Sequence, residues 1–295
     1  MTSAREMRLR IRSVGNIAQV TRALQAVSAS RVRRAQQAVQ ATRPYATKAW
    51  EVLLHLASQP ARDVAHPLLT QRTEVKRITV VVITSDRGLA GAYNANLIRY
   101  CLESFRGAAA PVTYVFVGRK GRDMMARRRI AVRADFSGLP AEPSFADVSA
   151  IGRLVVEDYL GGGTDQVFLV YTRFVNLLRQ IPTTKLLLPL ELDQPDTRVT
   201  AFQPASGPAP AYIYEPGEEE LISHIVPRFT ALQVFHAVME SRASEHAARM
   251  VAMQNATQNA VELGSALRLD YNKARQQAIT SDMLDIVGGV EAQRA

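Results

Sequence analysis

After Pro227 there is no proline in this 295-residue chain, and apolar or small residues recur along that stretch with a strict rhythm. They fall at Phe229, Leu232, His236, Met239, Ala243, His246, Met250, Met253, Thr257, Ala260, Gly264, Leu267, Tyr271, Ala274 and Ala278. Intervals alternating between three and four make a heptad seam, which predicts a helix supercoiled left-handedly around a partner. Between Pro227 and Val287 such a helix would be about 90 Å long at about 1.5 Å per residue. Ordinary helices average about 11 to 12 residues, so no compact domain of this mass needs one of that length. The helix itself is expected to open at EPGEEELI, where Pro216-Gly217 stops what precedes and Glu218, Glu219 and Glu220 load the positive end of the helix dipole. Its seam is poor in leucine, with alanine, threonine, histidine and glycine at core positions. A coil that gives up packing in this way has a reason to be slim, such as passing through a hole.

The partner is at the other end of the chain. Residues 3 to about 57 hold no proline except Pro44, and a second stripe runs through Met7, Ile11, Val14, Ala18, Thr21, Leu24 and Val27. Alanine and serine fill the spaces, favouring close pairing with a neighbouring helix. Two amphipathic terminal helices bury both stripes most economically as an antiparallel coiled coil.

Between them the period changes. RITVVVIT (77–84), VTYVFVG (112–118), DQVFLVYT (165–172) and TKLLLPL (184–190) are β-branched or apolar runs of strand length. Helix-like stretches (94–105, 119–128, 146–160) separate them, so the insert reads as a Rossmann-like, mostly parallel α/β domain with helices on its faces. The expected division is an N-terminal helix over 1–60, an α/β domain over 75–195, a proline-dotted linker over 196–215 and a C-terminal helix over 216–295.

Charge narrows the function. Lys and Arg number 36 against 27 Asp and Glu, a surplus of +9. Before Trp50 there are ten basic residues and one acid, Glu6, so the whole surplus sits on the N-terminal helix. Such a face is made to meet something acidic: nucleic acid, an anionic membrane face or a protein. No aromatic precedes Tyr45, which argues against base stacking and favours an acidic protein surface over a basic nucleic-acid-binding coiled coil. A single cysteine, Cys101, excludes an intramolecular disulfide, and no apolar run approaches the length needed to span a bilayer.

Catalytic constellations are missing from the sequence. It has no G-x-x-x-x-G-K-[ST], no G-x-G-x-x-G after a strand, no H-E-x-x-H and no G-x-S-x-G. The five histidines never reach metal spacing with a second ligand, so neither a metal nor another cofactor is expected. The nearest approach to a phosphate loop is Ser85 to Asn94, which follows the first strand and opens a helix. It lacks the lysine and hydroxyl of a nucleotide site and reads better as a tight turn with a local Asp86–Arg87 interaction.

Three segments together resemble the gamma subunit of F-type ATP synthase, of bacterial type. They are IRSVGNIAQVTRALQAVSASRVRRAQ (11–36), SDRGLAGAYNANL (85–97) and the run from Ser244 to Gly289, joined by FVNLLRQIPTTKLLLPL and YIYEPGEEELI. The resemblance implies a non-catalytic rotor: paired terminal helices inside a ring of three alpha and three beta subunits, and an α/β foot with the epsilon subunit on the membrane rotor ring (the c-ring). It implies beta-subunit contacts at Arg275, Gln276 and Thr280, with Asp86 and Arg87 in the turn lining the same neighbourhood and Arg8, Arg12, Arg33 and Arg34 facing acidic loops. Ile286, Val287 and Val290 would enter an apolar bearing. Ala92 stands where a second glycine is usual, and Gly15 and Ala18 where the family tends to lysine and a longer polar residue. Because the resemblance starts within the first dozen residues, nothing is left over for a transit peptide, and the expected place is the cytoplasmic side of a bacterial inner membrane, peripheral to it.

Overall fold

The computed structural model describes residues 4–58, 67–190 and 218–294, so the expected linker lies outside the described residues. Ten elements follow in chain order: α1 (Ala4–Ser58), β1 (Ile78–Ile83), α2 (Tyr93–Ser104), β2 (Val112–Val117), α3 (Arg119–Ala126), β3 (Val132–Asp135), α4 (Phe145–Leu160), β4 (Gln166–Phe174), β5 (Gln180–Leu188) and α5 (Glu218–Arg294). They form two compact units, Ser30–Ala248 and the pair Met1–Ala29 with Arg249–Ala295.

The larger unit is built on one five-stranded sheet in the order β3-β2-β1-β4-β5. β1 pairs in parallel with β2 and β4, β2 with β3, and β5 alone runs antiparallel to β4. The central strand ITVVVI is buried at every position because helices cover both faces. Val80 and Val82 face α2 and α3 with Leu97, Ile98, Phe116 and Met125, whereas Val81 and Ile83 join Ile151, Val155, Phe235 and Val238. Each such side chain contributes about 1.5–3 kcal/mol by leaving water.

β3 is the strand that the sequence pattern missed. VRAD is four residues long, alternates half-buried with exposed positions, and carries Arg133 and Asp135 on the sheet edge, so it offers no apolar run to read. β5 begins four residues before the expected start and contains Pro182, which is tolerated because its strand is the opposite edge.

Two prolines lie inside helices, Pro44 in α1 and Pro227 in α5. An interior proline costs about 3 kcal/mol through a lost backbone bond and ring clash. Packing offsets that cost: Trp50 and Leu53 beyond Pro44, and Val226 and Phe229 around Pro227, are buried, with Trp50 stacked on Phe229 at 5.5 Å between ring centroids. α5 therefore runs straight through Pro227, nine residues past its start.

The heptad rhythm holds in α5 but means two different things. Through Val226 to Ala247 the helix is buried on nearly every side, not on one stripe, because the sheet and α4 cover faces that a two-helix coil would leave wet. Gly152 of α4 lets α5 close in, since a Cβ there would sit 2.7 Å from Ala231 Cα. His236, expected on the seam, meets Thr42 Oγ1 of α1 at 2.8 Å, and His246 is buried.

In the smaller unit the stripe is a stripe. The Thr21 and Thr257 hydroxyls meet at 2.7 Å, and Val14 Cγ1 lies 3.7 Å from where a Cβ on Gly264 would be. Seven residues back along α1 correspond to seven forward along α5, which is the antiparallel heptad register. Arg8 Nε, one further step back, donates to the Tyr271 hydroxyl at 2.6 Å, and its guanidinium lies over that ring. One expected position slips: Val27 is exposed and Ser28 is buried in its place, bonded to the Leu24 carbonyl at 2.7 Å. At the far end α1 runs out at Ala4, so α5 loses its cover after Ala274 and Ala278, expected on the seam, is exposed.

Candidate partner-binding surface

The turn after β1 is fixed from three directions. Asn94, in the first turn of α2, accepts from Ser85 N–H at 3.0 Å through Oδ1 and donates to Ser85 Oγ at 2.8 Å through Nδ2. Those groups close the loop on itself, so they are not presented to an anion as a phosphate cradle would present them. Asp86 is engaged far along the chain: its Oδ1 accepts backbone N–H bonds from Arg119 and Gly138, each at 3.1 Å. The same carboxylate faces Arg119 at 3.6 Å and Arg242 at 3.9 Å, so it ties the turn to α3, to the segment after β3 and to α5. Tyr93, next along, hydrogen-bonds the Ser241 hydroxyl at 2.7 Å, and burial holds its phenol well above the usual range.

Pinned in this way, the turn presents Arg87 and Leu89 to solvent. Leu89 is 66% exposed and adopts φ +63°, a left-handed conformation unusual for a branched side chain. A leucine held in that state, with its apolar body in water, is a feature that the sequence reading passed over.

The basic residues of α1 divide by what they do. Arg34 is exposed and paired with Glu142, and Arg8 is tied to Tyr271. Arg12 and Arg33 are exposed and make no ion pair among the described residues. Part of the N-terminal surplus is thus spent internally, and part is presented outward.

On α5, Arg275, Gln276 and Thr280 all lie in the exposed stretch beyond Ala274. Gln276 and Thr280 are one turn apart and share a face, and Arg275 stands one turn beyond Tyr271, where Arg8 docks. Further on, Ile286, Val287 and Val290 are 66%, 58% and 47% exposed. Ile279 and Met283, also exposed, extend the same i, i+3/i+4 stripe toward the uncovered end. Those two lie off the heptad register, whose next positions are Ser281 and Asp285, so the seam pattern did not point to them.

This surface contains no recognisable catalytic geometry. Cys101 is buried and its thiol is pushed up to about 12 by burial, so it is no nucleophile.

Comparison with known proteins fixes what such a molecule is. The family model described as ATP synthase matches residues 3–293. The ATP synthase gamma chain of Dehalococcoides mccartyi (strain CBDB1) is 43% identical over 293 residues, covering 99% of both chains. The chain belongs to the ATP synthase gamma-chain family. A gamma chain from Desulfitobacterium hafniense is 44% identical over 292 residues, again across 99% of each. Among solved structures, a chain of the Euglena gracilis mitochondrial ATP synthase, solved with OSCP, F1 and c-ring in rotational state 3, superposes with TM-score 0.67 at 21% identity, covering 98% of this chain and 94% of that one. A chain of the Tetrahymena thermophila central stalk and c-ring gives 0.60 at 24% identity, covering 80% and 99%. These two likenesses are of fold. Membership makes the chain the non-catalytic central-stalk subunit of the synthase, which is consistent with a surface built for contact rather than chemistry. The nucleic-acid reading of the basic helix has no support beside it.

Proposed function

We propose that this chain is the turning shaft of a bacterial ATP synthase, with its terminal helices (1–60 and 216–295) as the shaft, residues 75–195 as its foot and 196–215 as the link between them. Ion flow through the membrane sector rotates the foot, and the asymmetric shaft forces the beta sites in turn through different nucleotide affinities. The supporting observation is the continuous 77-residue α5, paired antiparallel with α1 as far as Ala274 and unpaired beyond it. Such an element transmits a twist and offers its bare end to an enclosing partner.

In this reading Arg275, Gln276 and Thr280 touch beta, with Asp86 and Arg87 in the same neighbourhood and Arg8, Arg12, Arg33 and Arg34 facing acidic beta loops. Ile286, Val287 and Val290 turn in an apolar bearing made by the alpha and beta ring. The foot carries epsilon and sits on the c-ring, with this subunit peripheral to the bacterial inner membrane on its cytoplasmic side. Among the described residues no helix is long and apolar enough to cross a membrane. The test is reconstitution. The isolated chain should hydrolyse no ATP, and adding it to alpha and beta subunits should yield a stable complex whose hydrolysis drives proton pumping once joined to the membrane sector. Failure to bind the alpha–beta mixture would sink the proposal.

A further inference from the structure

Within the larger unit, a hollow of about 90 Å³ lies between α1, α5 and the segment before α4, walled by alanine, proline and methionine together with three arginines. Arg31 and Arg34 line it from α1, Arg242 and His246 from α5, and Glu142 and Pro143 from the connecting segment. Three guanidiniums round one space repel each other unless countercharges balance them. Glu142 balances Arg34. Arg242 is held loosely, 3.9 Å from each of Asp86 and Glu245, so its fork makes no close carboxylate contact. Arg31 is half-buried and makes no ion pair or hydrogen bond among the described residues.

The hollow therefore has one guanidinium wholly uncompensated and a second partly so, in a space well above the roughly 10–15 Å³ that one water needs. We propose that it is a binding site for a single tetrahedral oxyanion, inorganic phosphate or the terminal phosphate of a nucleotide. Arginine forks match such an anion in geometry and charge, and oxygens between Arg31 and Arg242 would take charge-assisted hydrogen bonds from both helices. The volume admits one phosphate group. An occupied site would bridge α1 to α5 within the larger unit. Of the residues assigned to beta, Arg34 alone lines it.

Titration of the full-length chain with inorganic phosphate at constant ionic strength tests this by calorimetry and thermal shift, with sodium chloride as the reference. Saturable binding that raises the melting temperature is expected. Arg31→Gln should weaken it by about tenfold or more, the loss of a charge-assisted contact. Arg31→Lys, which keeps the charge and the fold but loses the fork, should fall between, and Arg99→Gln on exposed α2 should bind like the wild type. A parallel titration with ATP separates the sources: tighter binding than phosphate assigns the site to a nucleotide tail, weaker binding to free phosphate. Phosphate indistinguishable from chloride, or Arg31→Gln and Arg31→Lys both binding like the wild type, would overturn the proposal.

Discussion

Asp165 shows how a single side chain can set a junction. It lies just before β4, 7% exposed, and one carboxylate oxygen takes Arg72 at 2.5 Å while the other takes the backbone N–H groups of Lys76 and Arg77 at 2.7 and 2.8 Å. Burial works against the charged form, but Arg72 and the two N–H donors outweigh it and hold the carboxyl below its ordinary 3.8. Asp165→Ala should therefore destabilise the fold by about 2–3 kcal/mol at neutral pH, since it strands a guanidinium and two backbone donors. The sign with pH follows from the depressed value. The stabilisation is whole above the unfolded carboxylate's pKa and is lost as pH falls through the lower native one. In urea melts, the gap between wild type and Asp165→Ala should be constant near neutrality and close below about pH 4; a gap that persists unchanged into acid would contradict the assignment.

At the scale of elements, close packing outranks propensity. Alanine at Gly152 would add about 1 kcal/mol to the helicity of α4. The new Cβ, however, would stand 2.7 Å from Ala231 Cα and 2.8 Å from its Cβ, and a backbone atom cannot swing aside. Gly152→Ala should cost a net 1–3 kcal/mol or so, visible as a lower denaturation midpoint; a gain would mean that α4 and α5 are not in this contact. The same distinction explains what was legible beforehand. The terminal helices, their antiparallel pairing and four of five strands could be read because each repeats one physical rule over many residues. β3 could not, being a short polar edge, and Val27 for Ser28 could not, because a small polar residue that bonds its own helix backbone is invisible to a hydrophobicity pattern. Nor could Asp86: a sequence suggests its neighbour Arg87, whereas the fold brings it the amides of Arg119 and Gly138. Of the candidate surface, Arg275, Gln276 and Thr280 were named only through the family resemblance, and the seam pattern carried cover on to Ala278, which is exposed; the capture of Arg34 by Glu142 and of Arg8 by Tyr271 depended on tertiary contacts alone.

For the whole molecule, the claim is that these surfaces transmit torque. Arg275 and Gln276 are exposed and outside the coil's shielded seam, so Ala at both should leave stability within about 0.5 kcal/mol of wild type. Proton pumping per ATP hydrolysed in reconstituted vesicles should nevertheless fall, and unchanged pumping would remove both residues from the beta contact. The most direct measurement is rotation itself. Since the buried Cys101 is shielded from thiol reagents, a cysteine introduced at exposed Glu103 offers the one reactive thiol for a bead. With the alpha and beta ring fixed to a surface and ATP supplied, the account predicts steady rotation of the bead in one direction. A bead that only fluctuates about one angle while the ring continues to hydrolyse ATP would contradict it.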